Sequence, residues 1–291
     1  MGRLVRPWRA AATALMLGLC GCQAWHDREA ASKDPARDAQ VQQVSRQAQD
    51  AIDRGDPATA LALLQQMVAL APRSAEAHHR IGRVLQEQGR LAEARASQAR
   101  ALEIDDEYVN ALIAMGEVEL AMGRPDEALV RLDAAIEINP APSEAHLARG
   151  RALQALGRPD DALAAYFRAL NGDPNLTAAM LQVAAIQLAR KQPEQALARL
   201  THALDLTPDD PEALHGRGMA LLMLDRPALA AADLRKAADR LPDRPEVFYH
   251  LALALEANHQ APADALKAAE HALSLAPGYS DAKALSERLR R

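Results

Sequence analysis

Beyond Cys22 the 291-residue chain contains no cysteine, and its two thiols, Cys20 and Cys22, lie one residue apart near the start. A disulfide framework for the body is thereby excluded, and a bridge between residues two apart is geometrically poor. No Cys-x-x-Cys and no histidine cluster completes a metal site. Aromatics are scarce, at 3% of residues. Ala and Leu therefore supply the apolar surface, which favours closely packed helices over sheet, because sheet draws on Val, Ile, Thr and aromatics. No stretch after residue 22 approaches 18 apolar residues, so the body is expected to be soluble. A long basic cluster is missing too. The formal charge is −5, and the first 21 residues hold three arginines and no acid, which leaves −8 from Cys22 onward. Nucleic acid is not an expected partner of such a chain.

What the sequence does contain begins at its N-terminus. Arg3, Arg6 and Arg9 precede an apolar run over residues 10–19. Ten residues are too few to span a bilayer stably, but suit the apolar region of a secretory signal. Leu19-Cys20-Gly21-Cys22 follows and resembles the lipobox of bacterial lipoproteins, with Leu at −3, a small residue at −1, and a Cys that is acylated and becomes the new N-terminus. Cys20 fits that role poorly, since Leu19 would stand where a small side chain is needed. The resemblance implies a signal peptide over residues 1–21, lipid attachment at Cys22, and a membrane anchor. An ordinary cleaved signal and an uncleaved N-terminal anchor are the alternatives. Gln23 resembles the residue that follows the lipidated Cys in proteins sent to an outer membrane, so an outer-membrane anchor facing the periplasm is expected.

The rest of the chain keeps a 34-residue period. Pro72, Pro140, Pro174, Pro208, Pro242 and Pro277 share one phase, with Asp106 in the vacant slot and one extra residue before the last. Pro57, Pro125, Pro159, Pro193, Pro227 and Pro262 share a second, so twelve of seventeen prolines fall on two phases. Gly82, Gly116, Gly150 and Gly218 share a third, with Ala48, Ala184 and Ala252 in its other slots, and Gly55, Gly89, Gly123 and Gly157 share a fourth. The third phase predicts a mid-helix site of close approach, where Gly costs roughly 1 kcal/mol relative to Ala. The fourth predicts helix C-termini. One proline set opens second helices and the other follows their ends.

These residues resemble the tetratricopeptide repeat (TPR) family, whose pattern has Gly or Ala at position 8, Ala at 20, a large apolar residue at 24, Ala at 27 and Pro at 32. Residues 143–176 show Gly150, Ala162, Tyr166, Ala169 and Pro174 at those positions. Met67 departs from the pattern in repeat 1 and Gln98 in repeat 2. The resemblance implies an all-α, right-handed α-solenoid of seven helix-turn-helix repeats, over 41–74, 75–108, 109–142, 143–176, 177–210, 211–244 and 245–279. Residues 22–40 are polar and form the expected tether. Residues 280–291 form an expected capping helix, with Ser280 at its start and Arg288, Arg290 and Arg291 at its negative end.

With nearly the whole chain spent on repeats, no catalytic residues, metal, cofactor or small-molecule substrate are expected, and the chain is not read as an enzyme. The nine histidines scatter. In TPR proteins a groove formed by positions 2, 5, 9, 12 and 13 of each first helix binds partner proteins. Here that resemblance selects His79, Arg83, Ile113, Leu120, Leu147, Arg151, Leu181, Leu188, Met219, Leu222, Met223, Tyr249 and Leu253. The stretch from repeat 5 onward is apolar, and Leu188 and Leu222 are expected to be largely exposed there, as part of a docking strip for an apolar or amphipathic segment. Packing of the same residues against neighbouring first helices is the alternative. The resulting expectation is a non-enzymatic scaffold or adaptor at the bacterial envelope, similar to TPR lipoproteins that act as pilotins or serve cell-wall enzymes. A periplasmic holdase of loose specificity is the second reading.

Overall fold

The computed structural model describes residues 35–259 and 261–290. The signal segment, Cys22 and the start of the tether lie outside the described residues. Among those described, all regular structure is helical: α1 (Pro35–Asp53), α2 (Pro57–Leu70), α3 (Ala75–Glu87), α4 (Leu91–Ile104), α5 (Val109–Ala121), α6 (Pro125–Ile138), α7 (Ser143–Ala155), α8 (Pro159–Gly172), α9 (Thr177–Ala189), α10 (Pro193–Leu206), α11 (Pro211–Met223), α12 (Pro227–Arg240), α13 (Pro245–Ala257), α14 (Pro262–Leu275) and α15 (Ser280–Leu289). The odd-numbered helices α3 to α13 start every 34 residues, and so do the even-numbered helices α2 to α12. No described helix is long and apolar enough to cross a membrane.

The spacing acts through the helix ends. Gly55, Gly89, Gly123 and Gly157 follow the first helices with φ near +70°, and Lys191, Asp225 and His259 adopt φ of 53–56° at the same phase. The hydrogen bonds are those of a left-handed C-terminal cap. After α7, for example, Gly157 N–H donates to Gln154 O at 3.0 Å and Arg158 N–H to Leu153 O at 2.9 Å. Proline then begins the next helix, where its missing N–H would have had no helical partner. The same six-residue closure forms in repeats 5 and 6 without glycine. There the left-handed residue carries the steric cost of its Cβ, on the order of 1–2 kcal/mol.

Two compact units divide between Asp105 and Asp106, at the slot where the proline phase is interrupted. In the first, α1 to α4 enclose Val44, Ala48, Leu64, Met67 and Val84. Its helix α1 starts at Pro35, inside the stretch expected to be tether. Proline in the first turn and Asp38 just behind it suit a helix N-terminus, and Arg37 donates to Leu70 O at 2.5 Å. Gln98, which departs from the repeat pattern, is wholly buried yet satisfied. Its amide donates to His79 O at 3.1 Å, and its carbonyl oxygen lies 3.0 Å from His79 Nδ1.

In the second unit each first helix packs on the second helix that follows it, and each second helix on the next first helix. One apolar cluster runs from Leu147 to Leu285. The C-terminal helix α15 begins at Ser280 as expected, with Tyr279 in the N-cap position and no side-chain cap. Its arginines reach carboxylates on the last repeat: Arg288 makes two hydrogen bonds to Glu256, at 2.8 and 2.5 Å, and Arg290 one to Glu270 at 2.9 Å.

Candidate protein-binding face

The first helices α9, α11 and α13 carry the apolar positions expected to bind a partner. Neighbouring first helices touch one another within this unit, α9 with α11 and α11 with α13. Positions 5 and 12 therefore serve two purposes, facing the next first helix as well as solvent. That seam decides their exposure.

Leu188 is only 9% exposed, Leu147 7% and Ile113 8%. The expectation that Leu188 is largely exposed is corrected: Leu188 and Leu147 belong to the core cluster. Ile113 is buried as well, on a helix whose side chains are mostly enclosed. Leu181, Met219, Leu222, Tyr249 and Leu253 pack against that core and keep part of their surface, which also corrects the expected exposure of Leu222. Met223, at position 13, is 44% exposed. Leu120 is half-buried and Arg151 exposed. In the first unit Arg83 is exposed, and His79 is half-buried with its ring held by Gln98. The helices α9, α11 and α13 thus present Met223 exposed, and beside their core only the uncovered parts of residues packed against it.

Sequence reasoning selected Tyr249 but missed the histidine pair and the aromatic partners at this end of the unit. His215 Nε2 lies 2.9 Å from His250 Nδ1. Tyr249 stacks obliquely on Tyr279, with ring centroids 5.1 Å apart, and Phe248 meets His271 edge-on at 4.3 Å. His215 and His250 are 35 residues apart, one repeat plus one residue. Ser45 and Arg80 have the same separation, and Arg80 donates to Ser45 Oγ at 2.7 Å. Position 5 of one repeat meeting position 6 of the next is a signal the sequence carries.

Burial pushes both imidazoles down to about 4. Arg244 lowers His215 further, the partner imidazole lowers His250, and Glu246 opposes in each case. In the unfolded chain both would titrate near 6.5. As pH falls through that range, the unfolded chain takes up protons before the folded one does. The stabilisation is therefore full above about pH 6.5 and is lost between 6.5 and 4. At pH 5 the pair therefore favours the unfolded chain more than it does at pH 7.5. Urea unfolding at pH 7.5 and pH 5 is expected to show this loss in the native chain, and most of it should vanish in a His215→Leu/His250→Leu variant. Equal pH dependence in the two proteins would refute the assignment.

No group of three potential ligands among His, Cys, Asp and Glu could hold a metal ion among the described residues. Comparison with known proteins identifies the architecture. Models described as tetratricopeptide repeat match residues 45–66, 73–141, 113–176 and 153–220, together more than half of the chain. No curated protein matches. Among solved structures, a chain of the APC/C hetero-tetramer Cut9–Hcn1 superposes with a TM-score of 0.70 at 16% identity, over 80% of this chain and 48% of its own. This protein thus spans about half the length of that relative. A tetratricopeptide repeat protein from Parabacteroides merdae superposes at 0.58 with 19% identity, over 86% of this chain and 99% of its own. PilF of Pseudomonas aeruginosa superposes at 0.56 with 25% identity, over 63% of this chain and 83% of its own.

Proposed function

Because the chain belongs to the tetratricopeptide repeat family, a fold of protein interaction, we propose that it is a non-enzymatic scaffold that docks a partner protein on the first-helix face of its second unit. The observation that carries this reading is the exposure of Met223 on α11, a helix that with α9 and α13 also keeps Leu181, Met219, Leu222 and Leu253 half-buried. Methionine adapts to varied apolar partners, and a rim of half-covered apolar side chains is what a docked segment would finish burying. Lipid attachment at Cys22 would hold this scaffold at a bacterial envelope membrane, the outer membrane facing the periplasm by the Gln23 rule. A pilotin-like or cell-wall adaptor role follows from that placement.

The anchor has its own test. One acyl chain gives marginal membrane binding at about 0.8 kcal/mol per buried CH₂, so stable attachment takes two or three. Cys22→Ala is expected to move the protein out of the lipidated membrane fraction, whereas Cys20→Ala leaves it there. A mature N-terminus mapped by mass spectrometry to any residue but Cys22 would end the lipoprotein reading while leaving the scaffold intact.

A further inference from the structure

The aromatic residues are unevenly spent. Of the six Tyr and Phe among the described residues, Phe248, Tyr249 and Tyr279 all fall in the last repeat. Tyr166, by contrast, is wholly buried, with its hydroxyl bonded to Gln154 at 3.0 Å. Tyr249 and Tyr279 are half-buried, and among the described residues neither hydroxyl makes a hydrogen bond. Tyr249 leans on the core, but Tyr279 is not part of that cluster. Its ring is held against Tyr249 instead, centroids 5.1 Å apart and planes tilted by 51°. Tyr249 also has the His250 ring 5.3 Å away, so Tyr279, half-buried and outside the core cluster, is the ring with surface to offer.

Charge says what they suit. Asp281 acts electrostatically on both phenols, Glu246 on Tyr279 and Glu256 on Tyr249. The cations nearby are already engaged: Arg288 by Glu256, and Arg244 by Glu212 at 3.0 Å and Glu246 at 3.5 Å. Among the described residues Asp281 makes no ion pair and accepts from the Ser280 hydroxyl at 3.4 Å. Three carboxylates, Asp281, Glu246 and Glu256, against the Arg288 guanidinium leave the surroundings of the rings net negative. Aromatic faces beside carboxylates attract a cation by quadrupole and by charge together.

We propose that the Tyr249–Tyr279 pair receives an arginine or lysine side chain of the partner segment docked along α11 and α13, with Asp281 as its counter-ion. The proposal rests on the protein-binding reading of that face and names the chemistry of the partner. An apolar contact around Met223 followed by a cationic contact at Tyr279 would fix the direction in which the segment lies.

The test titrates the purified full chain with fluorescent peptides, blocked at both ends, that alternate Leu with Arg, and with matched peptides that alternate Leu with Gln. The Arg peptide is expected to bind at least ten-fold more tightly, with affinity falling as salt is raised. Tyr279→Leu should lower that affinity about five- to ten-fold, Asp281→Asn several-fold, and Tyr279→Phe very little, because the π-face survives. Tyr249→Leu disturbs the core as well, so Tyr279 and Asp281 are the deciding positions, with helicity checked by circular dichroism. Equal binding of the Arg and Gln peptides, or an Arg affinity unchanged by Tyr279→Leu, overturns the proposal. If the peptides fail to discriminate while crosslinking from Met223 still yields a partner, this inference alone falls. If both fail, the docking reading falls with it.

Discussion

Gly150→Leu is expected to unravel the middle of the second unit. A Cβ placed on Gly150 would stand 2.3 Å from Tyr166 Cε1, 2.5 Å from Cδ1 and 2.8 Å from Cζ. These are ring atoms of a wholly buried side chain, so nothing can swing aside and α7 must lift off α8. Overpacking of this kind costs about 1–3 kcal/mol, and more where the neighbour is rigid. Stability in a stacked-repeat fold is a sum of nearest-neighbour terms, so hydrogen-exchange protection should fall first in α6 to α9 and last at α15. Uniform loss across the unit would contradict this.

The same contact predicts a rescue. Repeats 1 and 5 carry Ala48 and Ala184 at the equivalent position, both buried, with Leu64 and Leu200 sixteen residues on. Gly150→Ala should therefore destabilise the native chain, yet add little cost once Tyr166→Leu is present. A coupling of 0.5–3 kcal/mol between the two sites, on the order seen for residues in contact, is the expected reading of that double-mutant cycle.

Much of this was legible before any coordinates. Glycine and proline phases place helix ends and close approaches because those residues have few other reasons to recur: a φ of +70° at Gly157 and a collision at Gly150 are what the phases stand for. Depth was not legible. Position 12 lies on the interacting face in the family pattern, but at Leu188 the neighbouring first helix comes close enough to cover it, and at Leu222 it covers it only in part. Inter-helix distance is set by both partners' side chains, and one sequence position does not carry it. The His215–His250 pair is not visible in a 34-residue register, because position 5 of one first helix meets position 6 of the next, 35 residues on. Gln98 looked like a defect in the pattern, and only the His79 carbonyl and ring explain how it is accommodated.

Leu188→Lys follows from that correction. Placing an ammonium where Leu188 is 9% exposed forfeits apolar burial and puts a charge into the core cluster. A loss of about 2–4 kcal/mol is expected, reduced by whatever reach the lysine stem has toward water. Leu222→Lys should cost less and the double change more, so reduced partner capture by Leu188→Lys would report unfolding, whereas Leu222→Lys would mix unfolding with lost docking. Met223→Lys is the clean probe. At 44% exposure it should move stability by no more than about 0.5 kcal/mol while removing the centre of the proposed docking surface. Thermal melts that rank Leu188→Lys as no worse than Met223→Lys would show that the first-helix seam is not closed as described.

We propose docking of one partner on the first helices of the second unit. A photo-reactive amino acid introduced at Met223, and separately at the exposed second-helix positions Val130 and Leu229 (64% and 58% exposed), tests it in intact cells. The account predicts one discrete adduct from Met223, absent from Val130 and Leu229. Adducts from the second-helix positions alone, or a ladder of many proteins from Met223, would contradict it.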